Sequence, residues 1–125
     1  MIAEFCVEQL SDGVCTYTGP MMTGVTAHLG KSCALNIDGI RVAVVSGKAQ
    51  LLDRAMLRMV GIAAEEMKII VVKSSNHFRA DFTPLVANAA TDVIVAKAAG
   101  PMAADAQDLP WKKLLPSISP KLPAD

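Results

Sequence analysis

Aromatic side chains are scarce in this chain, with one Trp, one Tyr and three Phe among 125 residues. A core here must therefore be built from Ala, Val, Leu, Ile and Met rather than from stacked rings. Net charge is absent as well: twelve Lys and Arg balance twelve Asp and Glu. That removes the electrostatic reason to expect nucleic acid or an anionic membrane as a partner. No apolar run approaches the roughly 20 residues that cross a bilayer. Residues 1–13 carry Glu4 and no basic stretch, unlike a secretory leader, so the expected location is cytoplasmic. Histidine is limited to His28 and His77, and no H-E-x-x-H pattern occurs. There is no G-x-S-x-G elbow and no phosphate-cradling glycine loop. The three cysteines, Cys6, Cys15 and Cys33, are odd in number and lack C-x-x-C spacing. They read as reduced, buried thiols rather than a disulfide framework.

What is present is apolar. Hydrophobic residues make up 52% of the chain and charged residues 19%, which excludes disorder and predicts a globule with its own core. We read residues 1–115 as one domain and 116–125 as an extended tail. The apolar share exceeds what a small domain needs. Either the core is simply rich in Ala, or some apolar surface is covered by another subunit or domain.

The first half of the chain reads as strands. Ala3, Phe5 and Val7 alternate with Glu4 and Glu8, and Ser11-Asp12-Gly13 is a turn signal, so residues 14–18 are expected to return beside residues 2–10. Val25, Ala27 and Leu29 alternate in turn. Asp38-Gly39 joins two alternating apolar runs, Cys33 to Ile37 and Ile40 to Val45, as a type I′ hairpin. The second half changes period. Asp53 can cap a helix over 54–60, with Leu52 facing Leu57 and Gly61 as a left-handed stop. Residues 68–72, Lys-Ile-Ile-Val-Val, are β-branched and predict a strand covered on both faces. A helix opened by Ser74-Ser75 would place Phe78, Phe82 and Leu85 on one stripe, and Pro84 must kink or restart it, with Thr83 as a local cap. Residues 92–96 predict a last strand, and Trp111 is expected to pin the tail. The fold class is α/β: a mixed sheet from an N-terminal β-meander followed by a β-α-β unit, with two main short helices.

Chemistry is concentrated in Val72-Lys73-Ser74-Ser75-Asn76-His77-Phe78-Arg79. A strand end, two hydroxyls and a helix start lie within a few residues, a setting that favours an anion. Lys73 and Arg79 would add positive charge, and an Arg fork grips a carboxylate bidentately. His77 can donate a hydrogen bond or move a proton near neutral pH. The plainer alternative has Ser75 as an N-cap, His77 paired with Asp81 and Arg79 in solvent. Zinc needs three or four ligands. Here only a convergence of Cys6, Cys15, Cys33 and His28 would supply them. No metal site and no catalytic residue is therefore assigned in this chain.

The stretch from Val72 to Phe82 resembles the KSS-x-HFR signature of the carboxy-terminal domain of the MlrC (microcystin-degradation) metallopeptidase family. Ser11-Asp12-Gly13, Gly19-Pro20-Met21, Leu29-Gly30, Gln50-x-x-Asp53, Gly61-Ile62 and Leu109-Pro110-Trp111 resemble that domain's other fixed points, in the same order. The resemblance implies an accessory domain of a zinc-dependent peptide hydrolase acting on small peptides. The zinc and its ligands would lie in the family's amino-terminal domain, joined in cis or in trans, and the chain would be inactive alone. Lys73, Ser74, Ser75, His77 and Arg79 are the residues it carries over, as substrate- or anion-binding candidates. A different class of reading makes the domain an oligomerisation or binding module, a homo-oligomer in which the motif is structural.

Overall fold

The computed structural model describes residues 4–74, 76–96, 110 and 112–113. Residues 1–93 form one compact unit and residues 94–125 a second. The first unit carries antiparallel sheets and a few short helices, an α/β domain.

A three-stranded sheet is ordered β1 (Cys6–Ser11), β4 (Ser32–Ile37), β5 (Ile40–Val45), with β4 in the centre. A second sheet pairs β2 (Val14–Thr16) with β3 (Thr26–His28). The hairpin forms as expected: Ile37 faces Ile40 across Asp38 (φ 50°) and Gly39 (φ 84°), the positive φ pair that a type I′ turn requires. Residues 14–18 do not return beside β1; β2 pairs with β3 instead. Ser11 Oγ accepts from the Gly13 amide and Asp12 Oδ1 from the Val14 amide, so the chain is turned locally and β4 takes the place beside β1. A bulge at Glu8 shifts the register between Val7 and Gln9. Val7 and Leu10 thereby end on the same side of the sheet.

Helix α1 (Ala55–Arg58) begins at a side-chain cap, Asp53 Oδ1 accepting from the Ala55 amide at 2.8 Å. It ends in a Schellman arrangement. The Ile62 amide reaches Leu57 O at 3.0 Å and the Gly61 amide reaches Arg58 O at 2.9 Å, with Gly61 at φ 76° and Leu57 and Ile62 packed together in the core. Leu52 and Leu57, expected to face each other, fall in different clusters. The first cluster joins Ala34 of β4 to Leu57, Val60, Ile62, Ala64 and Phe82. The second holds Cys15, Tyr17, Leu29 and Met56. Leu51 and Met59 pack against both.

Residues 68–72 are not a ladder strand and are not covered on both faces. Ile70 and Val72 pack on the first cluster, while Ile69 and Val71 are 84% and 90% exposed. Apolar β-branched sequence favours extended backbone, but a strand also needs a neighbour to bond with, and no described strand lies beside this run. The second expected helix is shorter than its stripe. α2 spans only Arg79–Phe82 and restarts at Pro84 as a 3-10 turn over Thr83–Leu85. Phe78, Phe82 and Leu85 do share the core face. Thr83 Oγ1 is buried without a hydrogen-bond partner, so Thr83 is no side-chain cap.

The strand expected at 92–96 does not form: Asp92 ends helix α3 (Ala89–Asp92), and the described residues after it carry no ladder. Asn88 caps that helix: its Oδ1 accepts from the Ala90 amide, and its own amide donates to Asp92 Oδ2. That reciprocal cap opens α3, which takes in Asp92 alone of the expected strand, and residues 93–96 have no described strand to pair with. Trp111 and the tail after residue 115 lie outside the described residues. No helix of the described residues is long and apolar enough to cross a membrane.

Gly61 tests the α1 stop. A Cβ there would meet the left-handed backbone penalty and lie against the Gln9 side-chain amide. Gly61→Ala is expected to lower unfolding free energy by about 1–2 kcal/mol, read from urea denaturation with an unchanged m-value.

Candidate functional site

Residues far apart in sequence meet at the start of α1. Asp53, 1% exposed, uses Oδ1 for the Ala55 amide and Oδ2 for the Gly19 amide at 2.7 Å. The loop at 19 is thus tied to the helix cap. Asp81 of α2, also buried, binds the next residue along. Its Oδ2 accepts from the Arg54 amide at 2.6 Å, and its Oδ1 accepts from Arg54 Nε at 3.1 Å and pairs with Nη2 at 3.0 Å. The other arm of the Arg54 fork reaches Glu65 Oε1 at 2.9 Å, where Arg58 also binds. Gly19 sits between the two carboxylates: a Cβ would lie 2.8 Å from Asp81 Cγ and 3.0 Å from Asp53 Oδ2. Any side chain at 19 would force them apart.

Burial pushes the Asp81 carboxyl up, but the Arg54 side-chain and backbone hydrogen bonds and the Arg54 charge outweigh it. The group is held below the usual carboxylate range. Hydrogen bonding to Asp81 raises Arg54 in turn.

Beside this ionic frame lies a polar cluster. Gln50 Nε2 donates to Ser74 Oγ at 2.8 Å, and Gln50 Oε1 lies 2.8 Å from His77 Nδ1. An amide oxygen can only accept, so Nδ1 carries the proton and Nε2 is the ring nitrogen left for another partner. Ser74 Oγ also accepts, at 3.4 Å, from the Phe78 amide. His77 is exposed. Arg79 is exposed too, its guanidinium 5.3 Å from the Phe78 ring centroid, and Lys73 is exposed. Neither makes a salt bridge among the described residues.

The structure therefore brings Ser74 and His77 together through Gln50, and leaves Lys73 and Arg79 as flanking charges. Ser75 lies outside the described residues. His77 does not pair with Asp81, because Arg54 already occupies that carboxylate. A helix-dipole site is not available either: α2 is a single turn of four residues beginning at Arg79. What the segment offers is side-chain chemistry. Gln50 and Arg54 were not assigned a role by sequence reasoning. The one signal that touched Gln50 was the Gln50-x-x-Asp53 spacing, which stops one residue short of Arg54.

The cysteines do not converge. Cys15 is buried, Cys33 is half-buried and Cys6 is exposed, and all three are free thiols. Cys6 was expected to be buried; it stands opposite Asn36 on an outer strand of the sheet, whereas Cys33 stands opposite Leu10 in the centre. Burial pushes the Cys15 thiol up, with a contribution from Asp53, as suits an inert core thiol. Among the described residues no three His, Cys, Asp or Glu side chains are grouped to hold a metal ion. Their donor set does not fit a zinc site.

The residues that meet here, Gly19, Gln50, Asp53, Ser74, His77 and Asp81, all fall within the segments that resemble one family's fixed points. The family model described as MlrC C-terminus matches residues 1–113. The chain belongs to the MlrC C-terminus family. No curated protein and no solved structure matches it significantly. In this MlrC C-terminal domain, several family-typical segments that are scattered along the sequence come together as a hydrogen-bonded assembly around α1.

Two outcomes follow for the ionic frame. Arg54→Met leaves Asp81 buried without its cation and is expected to cost about 3–5 kcal/mol. Asp81→Asn leaves Arg54 with Glu65 and should cost less, about 1–3 kcal/mol. The pH dependence has a definite sign. A carboxyl whose folded value is depressed contributes stability above its unfolded value, about 3.9. That contribution is lost as pH falls through the lower folded value. Wild-type stability should drop through this acidic window, and the drop should be shallower in Asp81→Asn, as read from chemical denaturation at pH 7 and stepwise below pH 4.5.

Proposed function

We propose that this chain is the accessory carboxy-terminal domain of an MlrC-type zinc-dependent peptide hydrolase, inactive by itself, and that it lends the Gln50–Ser74–His77 cluster to the substrate cleft. In this reading the zinc is held by an amino-terminal metallopeptidase domain, in cis or in trans, in the cytoplasm. The substrate is a small peptide. Lys73 and Arg79 meet its carboxylate, Ser74 and Ser75 offer hydroxyls, and His77 presents Nε2 as acceptor or, when protonated, as donor.

The observation that carries the proposal is the Gln50 bridge. A histidine needed only for packing would be buried or unconstrained. His77 is instead exposed and held in one tautomer by a side chain 27 positions away, itself anchored to Ser74. Orienting an exposed imidazole costs side-chain freedom that a purely structural residue has no need to give up. The neighbouring cations favour an anionic ligand group over a neutral one.

Combining the chain with an MlrC amino-terminal region is expected to give metal-dependent hydrolysis of small peptides, with none from this chain alone. Within that assembly, Arg79→Ala should lower kcat/KM by about 10- to 150-fold, the loss of a charged contact worth about 1.5–3 kcal/mol. Gln50→Ala should act through His77, altering the pH profile of kcat/KM. An unchanged specificity constant in both variants would sink the pocket reading while leaving the family membership intact.

A further inference from the structure

The run that leads into the polar cluster has the periodicity of a strand and no ladder to belong to. Exposure alternates residue by residue from Ile69 to Ser74, the period of extended backbone. Met67, just before it, has φ −87° and ψ 131°, in the extended region. Ile70 and Val72 pack inward on the first cluster, and Ser74, next in that row, bonds Gln50. Ile69, Val71 and Lys73 make the outward row, all exposed. From Lys68 to Lys73 no backbone N–H or C=O is bonded to another backbone group among the described residues, and no described strand pairs with the run.

We infer that residues 68–73 bind a small peptide, the substrate in the peptidase reading on which this inference rests, by strand addition. The peptide lies extended and parallel beside the run, with its carboxylate at Lys73. The backbone selects the ligand class. Extended N–H and C=O groups recur along an edge at every second residue, a spacing that another extended polypeptide matches. The outward row selects the direction. Two apolar side chains come first and a cation last, and the Ser74–His77 cluster follows directly, so the charged end of a peptide belongs at Lys73. A strand inside a folded partner has no terminal carboxylate to place there. Length agrees with a small ligand. Five residues at about 3.3 Å each span about 16 Å, enough for a peptide of about five residues. Main-chain pairing carries the affinity, so the peptide's side chains count for little.

The test is peptide binding to the 125-residue chain alone, which does not depend on hydrolysis. The probe is an N-acetylated pentapeptide of alternating Thr and Val with a free carboxylate. Titrated to about 5 mM, a range suited to a millimolar contact, it should shift the amide resonances of residues 69–73 in heteronuclear NMR and slow their hydrogen exchange. N-methylation at one alternate set of peptide residues should weaken binding at least about tenfold. The same change at the other set should leave binding nearly unaltered, since a strand presents every second N–H to one neighbour. Apolar adhesion would show no such parity. Amidating the carboxylate should weaken binding about tenfold, a preference that Lys73→Ala should erase. No binding, shifts confined to residues outside 69–73, or equal loss from both N-methylated sets overturns the inference. So does a run whose amides respond to an MlrC amino-terminal region and not to the peptide, because it then pairs with that partner. If the combined protein still hydrolyses peptides in any of these cases, strand addition fails and the peptidase reading stands. Parity-dependent binding without hydrolysis by the combined protein upholds strand addition and removes the peptidase reading.

Discussion

The arrangement depends on two buried carboxylates, Asp53 and Asp81, that flank Gly19 and each bind the start of α1. Asp53 and Asp81 both approach Gly19 closely enough that a single added Cβ would touch each. Two such charges in a weakly solvated interior repel strongly unless donors surround them. Here the donors are specific. Asp53 takes two backbone amides, and Asp81 takes the amide and the guanidinium of Arg54. Each carboxylate thereby joins the start of α1 to another segment of the chain: the loop at 19 in one case, α2 in the other. A one-turn helix such as α1 or α2 has little stability of its own. These bonds, together with the burial of Leu57, Val60 and Phe82, are what fix both in place.

The same frame explains why the polar cluster is ordered. Asp81 and His77 lie on one short segment, and Gln50 and Asp53 on another. Once Arg54 and Asp81 clamp the segments together, Gln50 is brought within reach of Ser74 and His77 at no further cost in loop closure. His77 would otherwise be free to pair with Asp81 four residues on, the partner its spacing favours. That carboxylate is already committed to Arg54, so the imidazole turns to an amide. An amide holds the ring in one tautomer without adding charge, whereas a carboxylate would favour the imidazolium.

How far the sequence discloses this differs by element. The hairpin at Asp38-Gly39 and both ends of α1 were legible, because each is decided by two or three adjacent residues acting locally. The run at 68–72 was not, because an apolar β-branched segment states a preference for extended backbone and says nothing about whether a neighbour exists. Residues 92–96 failed in a similar way: only Asp92 is taken into α3, and no described strand lies beside the residues that follow it. In the site, Ser74 and His77 were visible as chemistry-bearing types in one short segment. Gln50 and Arg54 were not, since a lone polar residue on a distant loop has no period and no spacing to mark its partner. Only the fold supplies that pairing.

The three-stranded sheet bears on the composition itself. On its core-facing side the central strand β4 presents Ser32 and Ala34, both buried, and Ala34 is almost wholly enclosed in the cluster with Leu57, Val60, Ile62 and Ala64. Small residues on that side mean that the sheet contributes little of the core's apolar volume; Leu, Val, Ile, Met and Phe from the second half supply it. The surplus of Val, Leu and Ile in β1 and β5 is therefore not explained by the domain's own core. Exposed β-branched side chains stabilise strand backbone, which accounts for their type. It does not account for the opposite face, where the rows Leu10, Cys33 and Val44, Val7, Leu35 and Val42, and Ile37 and Ile40 hold no polar residue, since Thr would serve a solvated strand as well. An uninterrupted apolar face on a sheet whose other side is already packed is the pattern of a sheet with a layer on both sides, and only one of those layers is supplied by the described residues of the domain.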